Sequence, residues 1–250
     1  MFFVSNVEHS NGTLLTMNTQ EQQSKITRLT LAPQPQPVEH KPGEPDWIPP
    51  LFRLVLESFT ITAQTGEPTG AAYQGVVFGF LRANNPHLQV EIDMVRTRST
   101  RLQRVGDIDC WEGSRLAISA KVKQLTLRTN AVPDLEGFAH ETGKRGTLGM
   151  VIALAYADGV RDDIEALGLK ALDRHDLLHI VELWDPLKQR TAVQSFIYYA
   201  QHVEKNSSLS DRLQDFLAQA ENAAKTVHTT ANPVPIEKPT PPGTTKNKKQ

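Results

Sequence analysis

Residues 105–124 read VGDIDCWEGSRLAISAKVKQ. Asp107 and Asp109 stand two apart before a short turn, and Lys121 and Lys123 stand two apart after it. Carboxylates can hold a hard divalent cation, and a lysine beside them can stabilise developing negative charge.

The elements around these residues are those of a hairpin. Side chains alternate across a strand. On the second arm Leu116, Ile118, Ala120 and Val122 share one face, and Ser119, Lys121 and Lys123 share the other. On the first arm Ile108 and Cys110 oppose Asp107 and Asp109. A turn centred on Gly113 sets Asp107 across from Ser119, one diagonal step from Lys121. The ordinary reading of such a face is solvated cross-strand ion pairs, each worth about 0.2–1 kcal/mol.

The pattern resembles the PD-(D/E)xK nuclease superfamily, and within it the type II restriction endonucleases. Gly106-Asp107 matches the "PD" element with Gly for Pro, and Lys123 matches the motif lysine. The resemblance implies that Asp107 ligates Mg²⁺, that Asp109 assists, and that Lys123 acts on the attacking water or the transition state. It departs at one position. Lys121 stands where the superfamily has an acid, and an ammonium group repels a metal ion. Three accounts follow. Asp109, Glu112, Glu136 or Glu57 supplies a displaced acid; the fold persists without cleavage; or position 121 is normally acidic and this chain is a substituted form. Some superfamily members place an acid on the helix before the hairpin, where this chain has Gln74.

Upstream, VRTRSTRLQR carries Arg96, Arg98, Arg101 and Arg104 and no acid. Arginine offers a bidentate fork to phosphate or guanine, so these residues are expected to contact DNA. Lys144 and Arg145 are weaker phosphate candidates, and Gln124 and Arg128 are expected to point toward the substrate. The expected partners are double-stranded DNA and a second copy of the chain, since a palindromic site matches a two-fold protein. The late helices from Leu187 to Lys225 are candidates for that contact.

The remaining chain must position this hairpin. Its 250 residues are enough for one domain with a sizeable core. Lys and Arg total 27 against 28 for Asp and Glu, so only local clusters speak to nucleic acid. Residues 1–48 and 228–250 are polar and rich in proline and are expected to be a disordered leader and tail. Residues 49–227 are expected to be the folded domain. In it GAAYQGVVFGFL has helical spacing and LQVEIDMVRT alternates as a strand. After the hairpin come a helix opened by Pro133, a buried strand in TLGMVIALAYA, a helix, a short strand and late helices. The order predicts an α/β domain with a mixed β-sheet flanked by helices, a restriction-endonuclease-like core, and C-terminal helices.

Single Cys110 excludes an intrachain disulfide, the start lacks a basic signal-peptide region, and no apolar run approaches a membrane span. A cytoplasmic protein without membrane contact is expected. His175 and His179 stand four apart, but Asp176 follows where the zinc-protease pattern needs Glu, and no metal role is assigned. Cys110, Trp184, Phe196, Tyr198 and Tyr199 read as packing residues. No phosphate-cradling glycine loop or dinucleotide fingerprint is present. Another reading of the same fold is a non-catalytic DNA-binding or assembly module.

Overall fold

The computed structural model describes residues 51–95 and 104–230. One five-stranded sheet, ordered β1-β2-β3-β4-β5, forms the centre. Its strands are β1 (Gln89–Ile92), β2 (Ile108–Glu112), β3 (Arg115–Leu127), β4 (Leu148–Tyr156) and β5 (Lys170–Leu172). The first three run antiparallel to their neighbours, and β3, β4 and β5 run parallel. Parallel pairs need crossovers, and helices α3 (Glu136–Arg145) and α4 (Val160–Ala166) supply them. The mixed sheet flanked by helices is the expected α/β class.

The other α-helices described are α1 (Leu51–Ser58), α2 (Ala71–Asn84), α5 (Arg174–Glu182), α6 (Pro186–Tyr198) and α7 (Ser207–Thr230). Helix α7 runs two residues past the position where the tail was expected to begin. The leader and most of the tail lie outside the described residues. Among the described residues no helix is long and apolar enough to cross a membrane.

The two faces of the sheet bury separate cores. One holds Ile92, Ile108, Cys110, Ala120 and Ile152 against α1, α2, α6 and α7. Phe52 and Phe80 stack on Trp184 there, and Phe196 and Tyr199 are fully buried, as packing residues should be. The other core gathers Phe138, Val151, Ala153, Val160 and Ile164 beneath α3 and α4.

Helix α2 is apolar nearly all round because it is enclosed between the sheet and α6. Two glycines permit that enclosure. A Cβ on Gly75 would meet the Phe196 ring at 2.5 Å, and one on Gly79 would meet the Ala192 carbonyl at 2.5 Å. Tyr73, on the same helix, donates its hydroxyl to the Ala153 carbonyl at 2.7 Å, which fixes α2 to β4. Helix α5 opens with a capping box, in which Asp173 accepts from the Asp176 amide and Asp176 accepts in return.

Candidate functional site

The hairpin closes more tightly than a turn centred on Gly113 implies. Glu112 pairs with Arg115, leaving Gly113 and Ser114 as a two-residue turn, and Gly113 takes the φ of +60° that this turn needs. A bulge between Cys110 and Trp111 adds a further shift. Each device moves the register by one residue. Asp109, not Asp107, therefore pairs with Ser119, and Asp107 comes beside Lys121.

The two aspartates consequently have different work. Asp109 is fully buried. One of its oxygens accepts from the Gly106 amide at 3.0 Å and the Ser119 hydroxyl at 2.6 Å, and the other accepts from the Val105 amide at 3.0 Å. It braces the bend that enters β2. The expectation that it assists a metal is corrected on this point, because its lone pairs serve the protein's own donors. Gly106 is required by the same bend. A Cβ there would stand 2.5 Å from Ser119 Oγ and 2.6 Å from the Ala120 carbonyl. The glycine that replaces Pro in the sequence pattern thus has a steric reason of its own.

Asp107 emerges from this bend partly exposed. Its amide donates to the Ala120 carbonyl at 2.8 Å, and its Oδ2 accepts from the Val122 amide at 2.8 Å. Its Oδ1 lies 3.9 Å from Lys121 Nζ. The two side chains retain 19 % and 27 % exposure, so solvent and ligands reach the pair. Lys121 also lies 5.6 Å from the centre of the Phe138 ring on α3, a cation–π contact that helps to hold the ammonium group in place. Phe138 was not legible as a site residue, since nothing in its local sequence ties it to Lys121. Lys123 follows on the same face, half-buried and beside Ala153 of β4. Among the described residues no carboxylate comes within ion-pairing distance of it. The charged face is therefore no freely solvated exterior, because α3 and the second core lie against it.

Just past Lys123 the β3–β4 register slips between Lys123 and Thr126. Bulges of this kind occur next to functional sites, where they end pairing or re-aim side chains. Gln124 falls in the slip, and its Oε1 is buried with no hydrogen-bond partner among the described residues. That oxygen faces inward rather than toward a substrate. Arg128, beyond the slip, is exposed.

The basic stretch is visible only at its ends. Arg96, Arg98 and Arg101 lie outside the described residues. Arg104 is corrected: its side chain is 8 % exposed and its guanidinium lies 3.4 Å from Asp93, which makes it an internal tie rather than a phosphate contact. Gln74 donates to the Asp93 carbonyl at 2.9 Å, so it anchors the same end of β1. Val95 is fastened as well. Its amide donates to buried Glu204 at 3.0 Å, which also accepts from the Tyr199 hydroxyl at 3.1 Å. Both flanks of the arginine-bearing stretch are thus pinned to the domain. Arg145 forms an i,i+4 pair with Glu141 at 2.6 Å, and Lys144 is exposed on the last turn of α3.

These donors do not fit Mg²⁺. Both oxygens of Asp107 face donors, the neighbouring position carries an ammonium group, and Asp109 is saturated. Glu57 is held by Arg53 at 2.7 Å, and Glu112 and Glu136 are exposed at the hairpin tip and the start of α3. Among the described residues no three metal-binding side chains gather at one point. A Lys at position 121 is thus incompatible with the hard, oxygen-rich shell that Mg²⁺ requires. Cys110 is buried on the opposite, apolar face, and burial, reinforced by the Asp109 charge, pushes its thiol up to about 12. It is an inert packing group. No protein-family model matches this chain, and no curated protein matches it.

Proposed function

We propose that this chain is an endodeoxyribonuclease of type II restriction type, acting on double-stranded DNA in the cytoplasm as a homodimer, with cleavage impaired at Lys121. The observation that carries the reading is the placement of Asp107 and Lys123 on one face of an antiparallel hairpin. That hairpin leads through α3 to a parallel strand, and Lys121 stands between the two residues. Asp107 is held by the Val122 amide with its carboxylate partly exposed, as a group that must meet the reacting phosphate should be. Lys123 supplies a cation for charge developing on that phosphate. Arg96, Arg98 and Arg101, outside the described residues, are the arginines we assign to the DNA backbone from their sequence.

The decisive experiment is incubation of a mixed-sequence duplex with the chain and with Lys121→Glu, in Mg²⁺ and in Mn²⁺. Discrete fragments are expected from Lys121→Glu alone, and Asp107→Ala in that background should abolish them. Cleavage by neither protein overturns the nuclease reading. A second reading, a non-catalytic DNA-binding module on the same fold, is favoured by the Lys121–Asp107 pair itself. It expects binding without fragments from either protein.

A further inference from the structure

We infer that Asp107, Lys121 and Lys123 form a metal-independent site for one backbone phosphodiester, with the Lys121 ammonium group standing in for the divalent cation. The inference rests on the DNA-binding reading above and specifies how its central site takes the substrate.

The charge arithmetic is local. With an acid at position 121 the three groups would be two carboxylates and one ammonium, a net negative site that repels phosphate until a divalent cation enters. With Lys121 they are one carboxylate and two ammonium groups, a net single positive charge. A phosphodiester carries a single negative charge and matches it.

The geometry suits the role. Lys121 Nζ is 3.9 Å from Asp107 Oδ1, longer than a direct charged hydrogen bond, so the ammonium group keeps donors for another acceptor. The Phe138 ring at 5.6 Å and the Asp107 carboxylate at 3.9 Å both help to hold it in place. Asp107 is fixed in turn by the Val122 amide. Lys123 adds a second ammonium group two residues along the same face. Both members of the ion pair are partly exposed, so a phosphate can reach them.

Fluorescence anisotropy of a labelled mixed-sequence duplex tests this, in EDTA and in Mg²⁺, with the chain as it stands, Lys121→Gln, Lys121→Arg and Lys121→Glu. For the unsubstituted chain Mg²⁺ should give no gain in affinity over EDTA at matched ionic strength, since the site needs no bound ion and Mg²⁺ competes only as a counterion of the DNA. Lys121→Gln should weaken binding and lower the slope of log K against log salt by about one, the signature of one lost phosphate contact. Lys121→Arg should keep the slope, which guards against a folding defect in the Gln variant. Lys121→Glu should bind more weakly in EDTA and recover in Mg²⁺. Mn²⁺ titration followed by electron paramagnetic resonance should give no stoichiometric site in the unsubstituted chain and one in Lys121→Glu. One bound Mn²⁺ per unsubstituted chain, or a tenfold gain in its DNA affinity on adding Mg²⁺, overturns the inference. DNA binding with an unchanged slope in Lys121→Gln also overturns it while leaving the DNA-binding reading in place. Absence of DNA binding by every form overturns both.

Discussion

Asp107 and Asp109 sit two residues apart on one arm of one hairpin, yet the fold treats them in opposite ways. Asp109 is fully buried with three donors on its two oxygens. Asp107 accepts from the Val122 amide on Oδ2, lies 3.9 Å from the Lys121 ammonium group, and keeps a fifth of its side-chain surface in water. A carboxylate that is saturated and buried builds structure. One that keeps part of its surface in water stays within reach of solvent. The same contrast recurs in two ion pairs. Arg212 grips Glu67 through two nitrogens at 2.7 and 2.8 Å, with 17 % and 1 % side-chain exposure. Lys121 and Asp107 are farther apart and more open. Closed pairs of this kind hold loops to helices, whereas the Lys121–Asp107 pair is a looser contact on a partly exposed face.

The sharpest way to break the contrast is Asp109→Ala. It strips a buried acceptor from the Val105 and Gly106 amides and from Ser119 at once. A loss of about 3–5 kcal/mol in urea-unfolding free energy is expected, because buried groups are left unpaired. A loss below about 1 kcal/mol would mean that the brace is unimportant.

An intermediate effect is expected at Glu67. Burial alone would raise its carboxyl, but the Arg212 hydrogen bonds and the Gln64 amide outweigh burial and hold it below its ordinary range. A depressed folded value adds stability above the unfolded value near 4.5, and that stability is lost as pH falls through the folded value. Thermal melts should show Glu67→Gln less stable than the parent at neutral pH, with the gap closing as acid is added. A gap that is constant from neutral pH downward would refute the linkage.

The smallest expected effect is that of Lys121→Gln on stability. An open pair contributes little, so the change in unfolding free energy should stay within about 1 kcal/mol. A much larger loss would make Lys121 a structural residue and align it with the closed pairs.

The sheet, its flanking helices and the hairpin were legible because periodicity is written locally. The alternation in LAISAKV and the apolar run in MVIALA leave little choice of structure. The apolar face of β3 does meet the larger core, as its pattern predicts. The register was not legible, since it depends on a turn length and on a bulge at Cys110 and Trp111 that no residue type announces. That single uncertainty set Asp107, rather than Asp109, across from Ser119. Arg104 was misread for a related reason. A basic run looks uniform in sequence, but Asp93, contributed from the end of β1, draws its last member inward. The arrangement of Lys121 over Phe138 needed the crossover helix to be in position, which no local pattern supplies.

The glycine-lined face of α2 has a consequence for how the protein is made. Gly75 and Phe196 are 121 positions apart in the chain (196 minus 75). Translation at about 5–20 residues per second brings α6 out of the ribosome on the order of ten seconds after α2. Through that interval the nascent α2 carries an apolar surface whose partner does not yet exist. The α2 face that Gly75 and Gly79 leave open is therefore covered only once α6 has emerged, whereas Asp107, Lys121, Lys123 and Phe138 all precede α6 in the chain.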